Sequence, residues 1–262
     1  MTVSRFPARK RFGQHFLHDP GVIERIVRAV APRPGDRLVE IGPGRGALTG
    51  ALLAAAGSLD AVEVDRGLAA ELRERYAGNP SFRLHEADAL RLDFGALARE
   101  RGGRLRIVGN LPYNISTPLL FHLLEHAPYI ADLHVMLQKE VVDRMVARPG
   151  TPEYGRLTVM LAPWVTIERL FDVGPGAFQP PPRVWSAVAR VNVRPEPAFA
   201  VGARFAPLVA AAFSQRRKTL RNALRAHVDE HTMRAAGIDP GARPETLTPE
   251  QFGALANSAA RL

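Results

Sequence analysis

The sequence contains no cysteine, only three lysines and no long apolar run, and each shortage excludes a class of protein. Without cysteine, the chain has no disulfide framework, no cysteine-bound zinc and no thiol nucleophile. Its longest apolar run extends from Phe205 to Phe213, nine residues, whereas a membrane-spanning helix needs about twenty. No secretory signal is recognisable at the N-terminus. We therefore expect a protein of the bacterial cytoplasm that has no membrane partner.

Positive charge is abundant, and nearly all of it is arginine. The chain has 35 Lys+Arg against 26 Asp+Glu, a net charge of +9, which suits a polyanionic partner. Arginine binds phosphate and stacks on bases, although the codon preference of a GC-rich genome accounts for much of the excess. The N-terminus carries Lys10 and Arg11 and has no acid before Asp19. We interpret it as a basic arm that lies on RNA, with a transit peptide or a solubilising tail as alternatives.

The most informative motif is the tetrapeptide Asn-Leu-Pro-Tyr that directly follows the strand-like segment Leu105–Gly109. In an open α/β sheet, ligands bind at the carboxyl ends of strands. An exocyclic base amine is a poor nucleophile, so a site that methylates it needs acceptors for its N–H groups and a flat surface. The Asn110 side-chain oxygen and a main-chain oxygen at Pro112 supply two acceptors, and Tyr113 supplies a stacking face. Taken alone, the tetrapeptide is equally compatible with a simple turn.

A glycine-rich loop follows a second strand-like segment, Arg37–Ile41, and precedes the helical segment Ala47–Ala56. Strand, glycine loop and helix in this order open the nucleotide-binding half of a doubly wound fold, because glycine lets the backbone approach the ligand closely. Gly42, Gly44 and Ala47 also satisfy the pattern of nicotinamide and flavin enzymes. The loop alone therefore leaves both cofactor classes open, and the tetrapeptide described above favours S-adenosylmethionine.

Two carboxylates follow the next strands along the chain. Glu63 lies near the end of the segment Leu59–Asp65, where it is placed to accept hydrogen bonds from both ribose hydroxyls of a nucleoside. A third strand-like segment, Phe82–Glu86, leads to Asp88, which can accept from an adenine amino group. Because the carboxyl ends of parallel strands share one edge, we expect both acids near the glycine loop.

Six motifs in order make the chain resemble the ribosomal small-subunit RNA adenine dimethyltransferases. That family dimethylates two adjacent adenosines near the 3′ end of 16S rRNA with S-adenosylmethionine as cofactor. Each motif alone is moderately specific, but the six together span nearly the whole chain. They are Lys10–Leu17, Glu40–Gly44, Asn110–Ser116, Met136–Glu140, Phe178–Val184 and Phe213–Thr219.

The resemblance also implies site residues. Its S-adenosylmethionine contacts fall on His15, Leu17, Gly42, Glu63, Asp88 and Asn110. The first of these is often asparagine in the family, and an imidazole can make a similar hydrogen bond. By resemblance, Phe178 faces Tyr113 across the target base, held by a loop of three prolines. The alternative is that Phe178 is a core residue that closes the last hairpin.

The predicted organisation is a Rossmann-like methyltransferase domain followed by a small helical domain. Alternating strand and helix patterns run through the first part and end in a strand pair. Pro195–Pro197 is typical of a linker. We therefore predict a catalytic domain over residues 1–195, in which residues 1–18 form the basic arm, and a helical RNA-docking domain over residues 196–262.

The helical part contains a basic segment, Ala211–His227, that has no acid. Arg217, Arg221 and Arg225 recur every four residues, which predicts that they share one face of a helix. We expect this face to contact RNA phosphates. The alternative is a solvated surface.

Three other functions fit parts of the sequence. His122 to His126 matches the H-x-x-E-H zinc-peptidase pattern, but the surrounding motifs serve nucleotide chemistry, so we expect no metal. A non-catalytic RNA-binding assembly protein and a 23S rRNA adenine N6-methyltransferase are further alternatives. The expected partner is 16S rRNA in the small ribosomal subunit or its precursor, bound by a monomer.

Overall fold

The computed structural model describes residues 14–215 and 217–258. The predicted RNA contacts Lys10 and Arg11 therefore lie outside the described residues, and their role stays a prediction. The described chain forms α/β and helical parts, so the predicted fold class, a Rossmann-like domain with a small C-terminal helical domain, is confirmed.

The chain divides into two compact units. Residues up to Val142 together with Ile167–Pro195 form the first unit, and Asp143–Thr166 together with the residues from Glu196 onward form the second. The sequence-based boundaries placed residues 143–166 in the catalytic domain, whereas the structure groups them with the helices. The reason is packing, because Tyr154 from this segment is buried in the core of the second unit.

The described residues contain nine strands, numbered in chain order. They are β1 (Phe16–Leu17), β2 (Leu38–Ile41), β3 (Leu59–Glu63), β4 (Phe82–Glu86), β5 (Leu105–Asn110), β6 (Ile130–Gln138), β7 (Val165–Val173), β8 (Phe178–Gln179) and β9 (Ser186–Val193). Seven of them form one sheet in the order β4-β3-β2-β5-β6-β9-β7, and β1 pairs with β8 in a separate small sheet. Strands β2 to β6 pair in parallel, whereas β9 runs antiparallel to β6.

Eleven α-helices are present in the same part of the chain. They are α1 (Pro20–Val30), α2 (Thr49–Ala56), α3 (Arg66–Arg75), α4 (Phe94–Arg101), α5 (Ser116–Glu125), α6 (Lys139–Met145), α7 (Arg156–Leu161), α8 (Phe205–Ala212), α9 (Leu220–Ala223), α10 (Glu230–Ala235) and α11 (Pro249–Ser258). Among the described residues, no helix combines the length and apolar character that crossing a membrane requires.

Local chemistry explains where the helices beside the sheet begin. The Asp19 side chain caps α1 by accepting a hydrogen bond from the Val22 N–H at 3.0 Å, and Pro20 occupies the first turn. Asp65 caps α3 in the same way, accepting from the Gly67 N–H at 2.9 Å. Because Asp65 lies two residues after the end of β3, this cap turns the chain away from the sheet at the carboxyl end of the strand.

The register of the sheet places several strand ends at one edge. Asn110, the last residue of β5, pairs with Met136 of β6. At Gly109, an added Cβ would lie only 2.5 Å from the Ile41 carbonyl oxygen of the neighbouring strand. A side chain at this position would therefore separate β5 from β2 beside the residues predicted to bind the cofactor.

Each unit has its own apolar core. In the first unit, Leu38, Leu52 and Val108 are completely buried where helices pack on the sheet. In the second unit, Phe205 and Phe252 are buried in a separate cluster. Burial of such side chains stabilises a fold by about 1.5–3 kcal/mol each, so both units contain enough apolar packing for a defined structure.

The basic segment Ala211–His227 is not one helix, which corrects the sequence-based prediction. Helix α8 ends at Ala212, and α9 covers only four residues. The backbone N–H groups of Leu220 and Arg221 donate to the carbonyls of Ala242 and Pro240 instead of continuing a helix. These tertiary bonds interrupt the helical register, so the four-residue spacing of arginines does not place them on a common face.

Candidate S-adenosylmethionine and base-binding site

An open pocket lies at the carboxyl edge of the sheet, within the first unit. It contains about 930 Å³ of space that no atom fills, part of it open to solvent, which is in the range of small-molecule sites. The sequence-predicted residues that line it come from β1, the glycine loop, β3 and the segments after β4 and β5. They are His15, Leu17, Gly42, Gly44, Glu63, Asp88, Asn110, Pro112 and Tyr113.

The glycine loop is shaped by left-handed backbone conformations. Gly42 has φ of 67° and Gly44 has φ of 56°, which side chains with a Cβ rarely adopt. An added Cβ at Gly44 would also lie 3.1 Å from the Phe16 ring. The loop therefore packs against the residue that starts β1, and it lines the pocket.

Glu63 is buried and held by backbone donors. One carboxylate oxygen accepts from the Gly44 N–H at 3.1 Å, and the other accepts from the Asp65 N–H at 2.8 Å. Burial raises the pKa of Glu63, and these two hydrogen bonds oppose that rise. Each oxygen keeps a further lone pair that can accept from a hydroxyl group. This arrangement fits a carboxylate that accepts hydrogen bonds from the hydroxyl groups of a ribose.

Glu40 is a site residue that sequence reasoning did not single out. It lies at β2 below the glycine loop, and its Oε2 atom is buried without a hydrogen-bond partner among the described residues. Burial raises the pKa of Glu40 to about 7; the nearby Thr49 hydroxyl opposes this rise and the negative charge of Glu63 adds to it. A buried acceptor without a partner is costly in a folded protein. Together with the glycine loop, it fits a bound ligand that carries a donor or a positive charge.

The far side of the pocket combines one acid with one apolar residue. Asp88 is half-buried, and one of its oxygens accepts from the Leu90 N–H at 3.0 Å, which orients the carboxylate. Val64 lines the pocket with 45% of its surface exposed. In the sequence, Val64 could have been found from its position directly after Glu63. An apolar residue there can contact the flat base of a bound nucleoside.

Asn110 is oriented by its own amide nitrogen. Nδ2 donates to the His15 carbonyl at 2.9 Å, so the amide oxygen is the end that remains to accept from a ligand. The Pro112 carbonyl already accepts from the Ile115 N–H at 3.2 Å. A carbonyl oxygen has two lone pairs, so one acceptor position is left there.

Tyr113 is held by two contacts. Its hydroxyl is 2.7 Å from the Ser186 hydroxyl, and burial raises its pKa. Its ring stacks with the His15 imidazole at a centroid distance of 5.4 Å and an interplanar angle of 29°. His15 Nδ1 in turn donates to the Pro180 carbonyl at 2.8 Å. His15 thus joins the Tyr113 ring to the proline loop, a role that its assignment as a cofactor contact did not include.

Phe178 lies in the apolar core and does not line the pocket. Its side chain is only 1% exposed and belongs to the apolar core of the first unit, with Leu17 as its strand partner. This burial is what a core residue that closes the hairpin would show, and the role of Phe178 opposite Tyr113 stays a prediction. The aromatic partner of Tyr113 is His15.

The histidines of the H-x-x-E-H pattern contact protein groups. His122 Nε2 donates to the Leu92 carbonyl at 2.9 Å, and the rings of His122 and His126 meet edge to face at 5.2 Å. Burial lowers the pKa of His126, and the nearby His122 contributes to this shift. Within residues 14–215 and 217–258, no three histidine or acidic side chains are placed to hold a metal ion.

The predicted RNA-contacting arginines of the second unit lie around the short helix α9. Arg217 precedes it and Arg225 follows it, and both are exposed. Arg221 lies 3.3 Å from Glu230, an acid that lies just beyond the basic segment in the sequence. The three arginines therefore lie in different local structures, and one of them, Arg221, forms an ion pair with a carboxylate.

The sheet order, the glycine loop and the buried carboxylates fit a Rossmann-like methyltransferase, and the comparisons with known proteins show that its cofactor is S-adenosylmethionine. The model of the ribosomal RNA adenine dimethylase family matches residues 5–261, and the chain belongs to this family.

Relatives share this similarity over almost their full length. The chain is 53% identical over 259 residues to ribosomal RNA small subunit methyltransferase A of Pseudomonas aeruginosa, covering 97% of this chain and 96% of that protein. The protein of the same name from Methylococcus capsulatus is 54% identical over 252 residues, covering 96% and 97%.

Solved structures show the same fold. A dimethyladenosine transferase from Plasmodium falciparum has a TM-score of 0.79 at 25% identity, covering 92% of this chain and 96% of that chain. The 23S rRNA methyltransferase ErmE has a TM-score of 0.69 at 31% identity, covering 94% and 100%.

Proposed function

We propose that this chain transfers methyl groups from S-adenosylmethionine to N6 of two adjacent adenosines in the 3′-terminal hairpin of 16S rRNA, during assembly of the small ribosomal subunit. The observation that carries the proposal is the Asn110 amide, whose nitrogen is bonded to the His15 carbonyl so that its oxygen is left to accept from a base amine. Identity above 50% to small-subunit methyltransferases supports the choice of ribosomal subunit.

The pocket residues divide the work of holding the cofactor. S-adenosylmethionine, when bound, supplies an electrophilic methyl group on a positively charged sulfur. Glu63 accepts from the ribose hydroxyls, and Asp88 accepts from the adenine amino group. Gly42 and Gly44 let the backbone approach closely. Leu17 contributes an apolar wall at the start of the pocket.

Asn110 and Pro112 activate the target amine. Their oxygens accept hydrogen bonds from the two N6–H groups. These bonds draw the nitrogen lone pair out of conjugation with the ring and toward the methyl group. The N6–carbon bond forms as the carbon–sulfur bond breaks, and the proton released from N6 passes to water. No strong general base is required, so most of the rate enhancement comes from positioning.

Tyr113 receives the ring of the target base. Its hydroxyl contact with Ser186 keeps the phenol in one orientation. Stacking of a base on an aromatic ring contributes about 1–3 kcal/mol, which offsets much of the few kcal/mol needed to unstack an adenosine from RNA.

The second unit and the N-terminal arm contact the RNA backbone in this proposal. Arg217, Arg221 and Arg225 supply phosphate contacts from the second unit, and Lys10 and Arg11 supply them from the arm. The substrate is the small ribosomal subunit or its precursor, and the protein acts as a monomer in the cytoplasm, where ribosomes assemble.

The test is methyl transfer to purified ribosomal subunits from a strain that lacks this activity. We expect mass spectrometry of digested nucleosides to show N6,N6-dimethyladenosine in small subunits incubated with the protein and S-adenosylmethionine. Large subunits form the control, and methylation of those alone would indicate a 23S rRNA enzyme. Tight RNA binding without any methylated nucleoside would instead indicate a non-catalytic assembly protein.

A further inference from the structure

Exposed apolar surface is concentrated at one edge of the first unit. Among the described residues, the exposed large apolar side chains are Val64 at 45%, Val184 at 41% and Trp185 at 55%. Val64 lines the cofactor pocket. Val184 and Trp185 directly precede Ser186, whose hydroxyl contacts Tyr113. Val184 and Trp185 together present a small apolar surface that a flat ligand can cover.

The sheet register places Trp185 at the same edge of the sheet as the residues proposed to bind the base. Ser186 pairs with Gln138 at the carboxyl end of β6, and Asn110 pairs with Met136 of the same strand. The Trp185 carbonyl accepts from the Lys139 N–H at 2.9 Å. This bond fixes the backbone of Trp185 at the edge where the substrate base must enter.

The indole of Trp185 packs against the backbone of a neighbouring loop. A Cβ built on Gly174 would meet three atoms of its six-membered ring at 3.6–4.0 Å, so the ring lies beside the Gly174 backbone. Arg183, two residues earlier, is exposed and adds a cation to this segment. A flat aromatic surface with a cation nearby in the chain matches a nucleobase and its phosphate.

We propose that Trp185 is a stacking platform for an unpaired base that flanks the target adenosine in the RNA. The inference rests on the proposed function, because it assumes that RNA enters at the Tyr113 edge. Trp185 acts on substrate binding and base placement, because it is not among the residues that line the cofactor pocket. Loss of the indole therefore weakens the use of RNA without changing the affinity for the cofactor.

The first experiment compares three variants in methyl transfer to unmethylated small ribosomal subunits. We expect Trp185→Ala to raise the KM for subunits about tenfold, in line with the loss of one stacked base. Trp185→Phe should recover most of this loss, because it retains a ring. Val184→Ala removes a neighbouring exposed apolar side chain and should behave as wild type. An unchanged cofactor affinity in all three variants shows that the pocket is intact.

The second experiment needs no methyl transfer. The chain has two tryptophans, so a Trp164→Phe background isolates the fluorescence of Trp185. Titration with an RNA hairpin whose loop holds two adjacent adenosines should quench this fluorescence, since a stacked base quenches indole. A lack of quenching, or equal KM values for wild type and Trp185→Ala, overturns the inference. Quenching by RNA without methylation of any subunit would instead contradict the proposed function and leave the stacking role standing.

Discussion

The pocket of the first unit and the basic segment of the second unit hold their functional side chains in different ways. In the pocket, Glu63 is buried and bonded to two backbone N–H groups, and Asn110 is anchored through its amide nitrogen. In the basic segment, Arg217 and Arg225 are exposed in turns on either side of a four-residue helix. One region is built for fixed geometry, and the other presents charge on surface turns.

The difference shows which sequence patterns carry structural information. The pocket residues were located by their place at the ends of strands, and a parallel sheet brings such ends together whatever the details of packing. The arginines were located by spacing alone, which has meaning only if the segment forms one helix. Hydrogen bonds from Leu220 and Arg221 to distant carbonyls prevent that helix.

The largest effect is expected where geometry matters most. We predict that Asn110→Ala lowers methyl transfer about 10²–10³-fold, as loss of a well-placed polar group does in other active sites, because N6 loses the acceptor that activates it. The affinity for RNA should be nearly unchanged, since Asn110 touches one base of a large footprint. Single-turnover transfer and a binding titration on small subunits measure the two quantities.

Asn114→Ala is the matched control, because Asn114 is an exposed asparagine of the same loop. It should retain near wild-type activity. If Asn110→Ala kept more than about a tenth of the activity, well above the expected residual rate, the amide would be structural and the comparison would lose its main support.

The second prediction concerns the buried acid that has an unpartnered oxygen. The folded-state pKa of Glu40, about 7, lies above its ordinary value of 4.5. The stabilising effect of this shift is therefore fully present below the ordinary pKa and is lost as the pH rises through 7, by about 3 kcal/mol. Glu40→Gln cannot ionise, so it should be more stable than wild type at about pH 8 and nearly as stable at low pH.

Denaturant unfolding of the cofactor-free protein across this pH range measures the difference. An identical pH dependence in Glu40→Gln and wild type would show that Glu40 finds a partner in solution.

The third prediction is a reduced cofactor affinity. Glu63→Ala should weaken S-adenosylmethionine binding more than tenfold, because two charge-assisted hydrogen bonds of about 1.5–3 kcal/mol each are removed. Glu86→Ala is a suitable control, since Glu86 is the register partner of Glu63 on β4 and is exposed. Calorimetry on folded protein measures both affinities, and an unchanged value for Glu63→Ala would contradict the ribose assignment.

The smallest effect is expected in the basic segment. Changing Arg217, Arg221 and Arg225 together to Gln should weaken binding to small subunits and reduce the log–log salt slope by about 0.7–0.9 for each phosphate that is no longer neutralised. Because Arg221 also contacts Glu230, the single Arg221→Gln variant should change the slope less than either of the others.

A control triple variant keeps the net charge change the same. Arg28, Arg66 and Arg73 are arginines of the first unit that pair with acids, and changing them to Gln should leave the slope unaltered. If both triple variants reduce the slope equally, the RNA responds to total charge and the basic segment has no special role.

The sequence by itself determined the sheet and the pocket. Strand patterns, glycine spacing and acids after strands depend on local chemistry and on the shared edge of a parallel sheet, so β3, β4 and the positions of Glu63, Asp88 and Asn110 could be predicted. The family resemblance rests on the same local motifs.

Only the tertiary structure decided what distant segments do to one another. It buried Phe178 in the core, placed the His15 ring on Tyr113 and left one oxygen of Glu40 without a hydrogen-bond partner among the described residues. It also joined residues 143–166 to the helical unit. The physical reason is that burial and long-range hydrogen bonds depend on which surfaces meet, and a pattern within one segment contains no record of its neighbours in space.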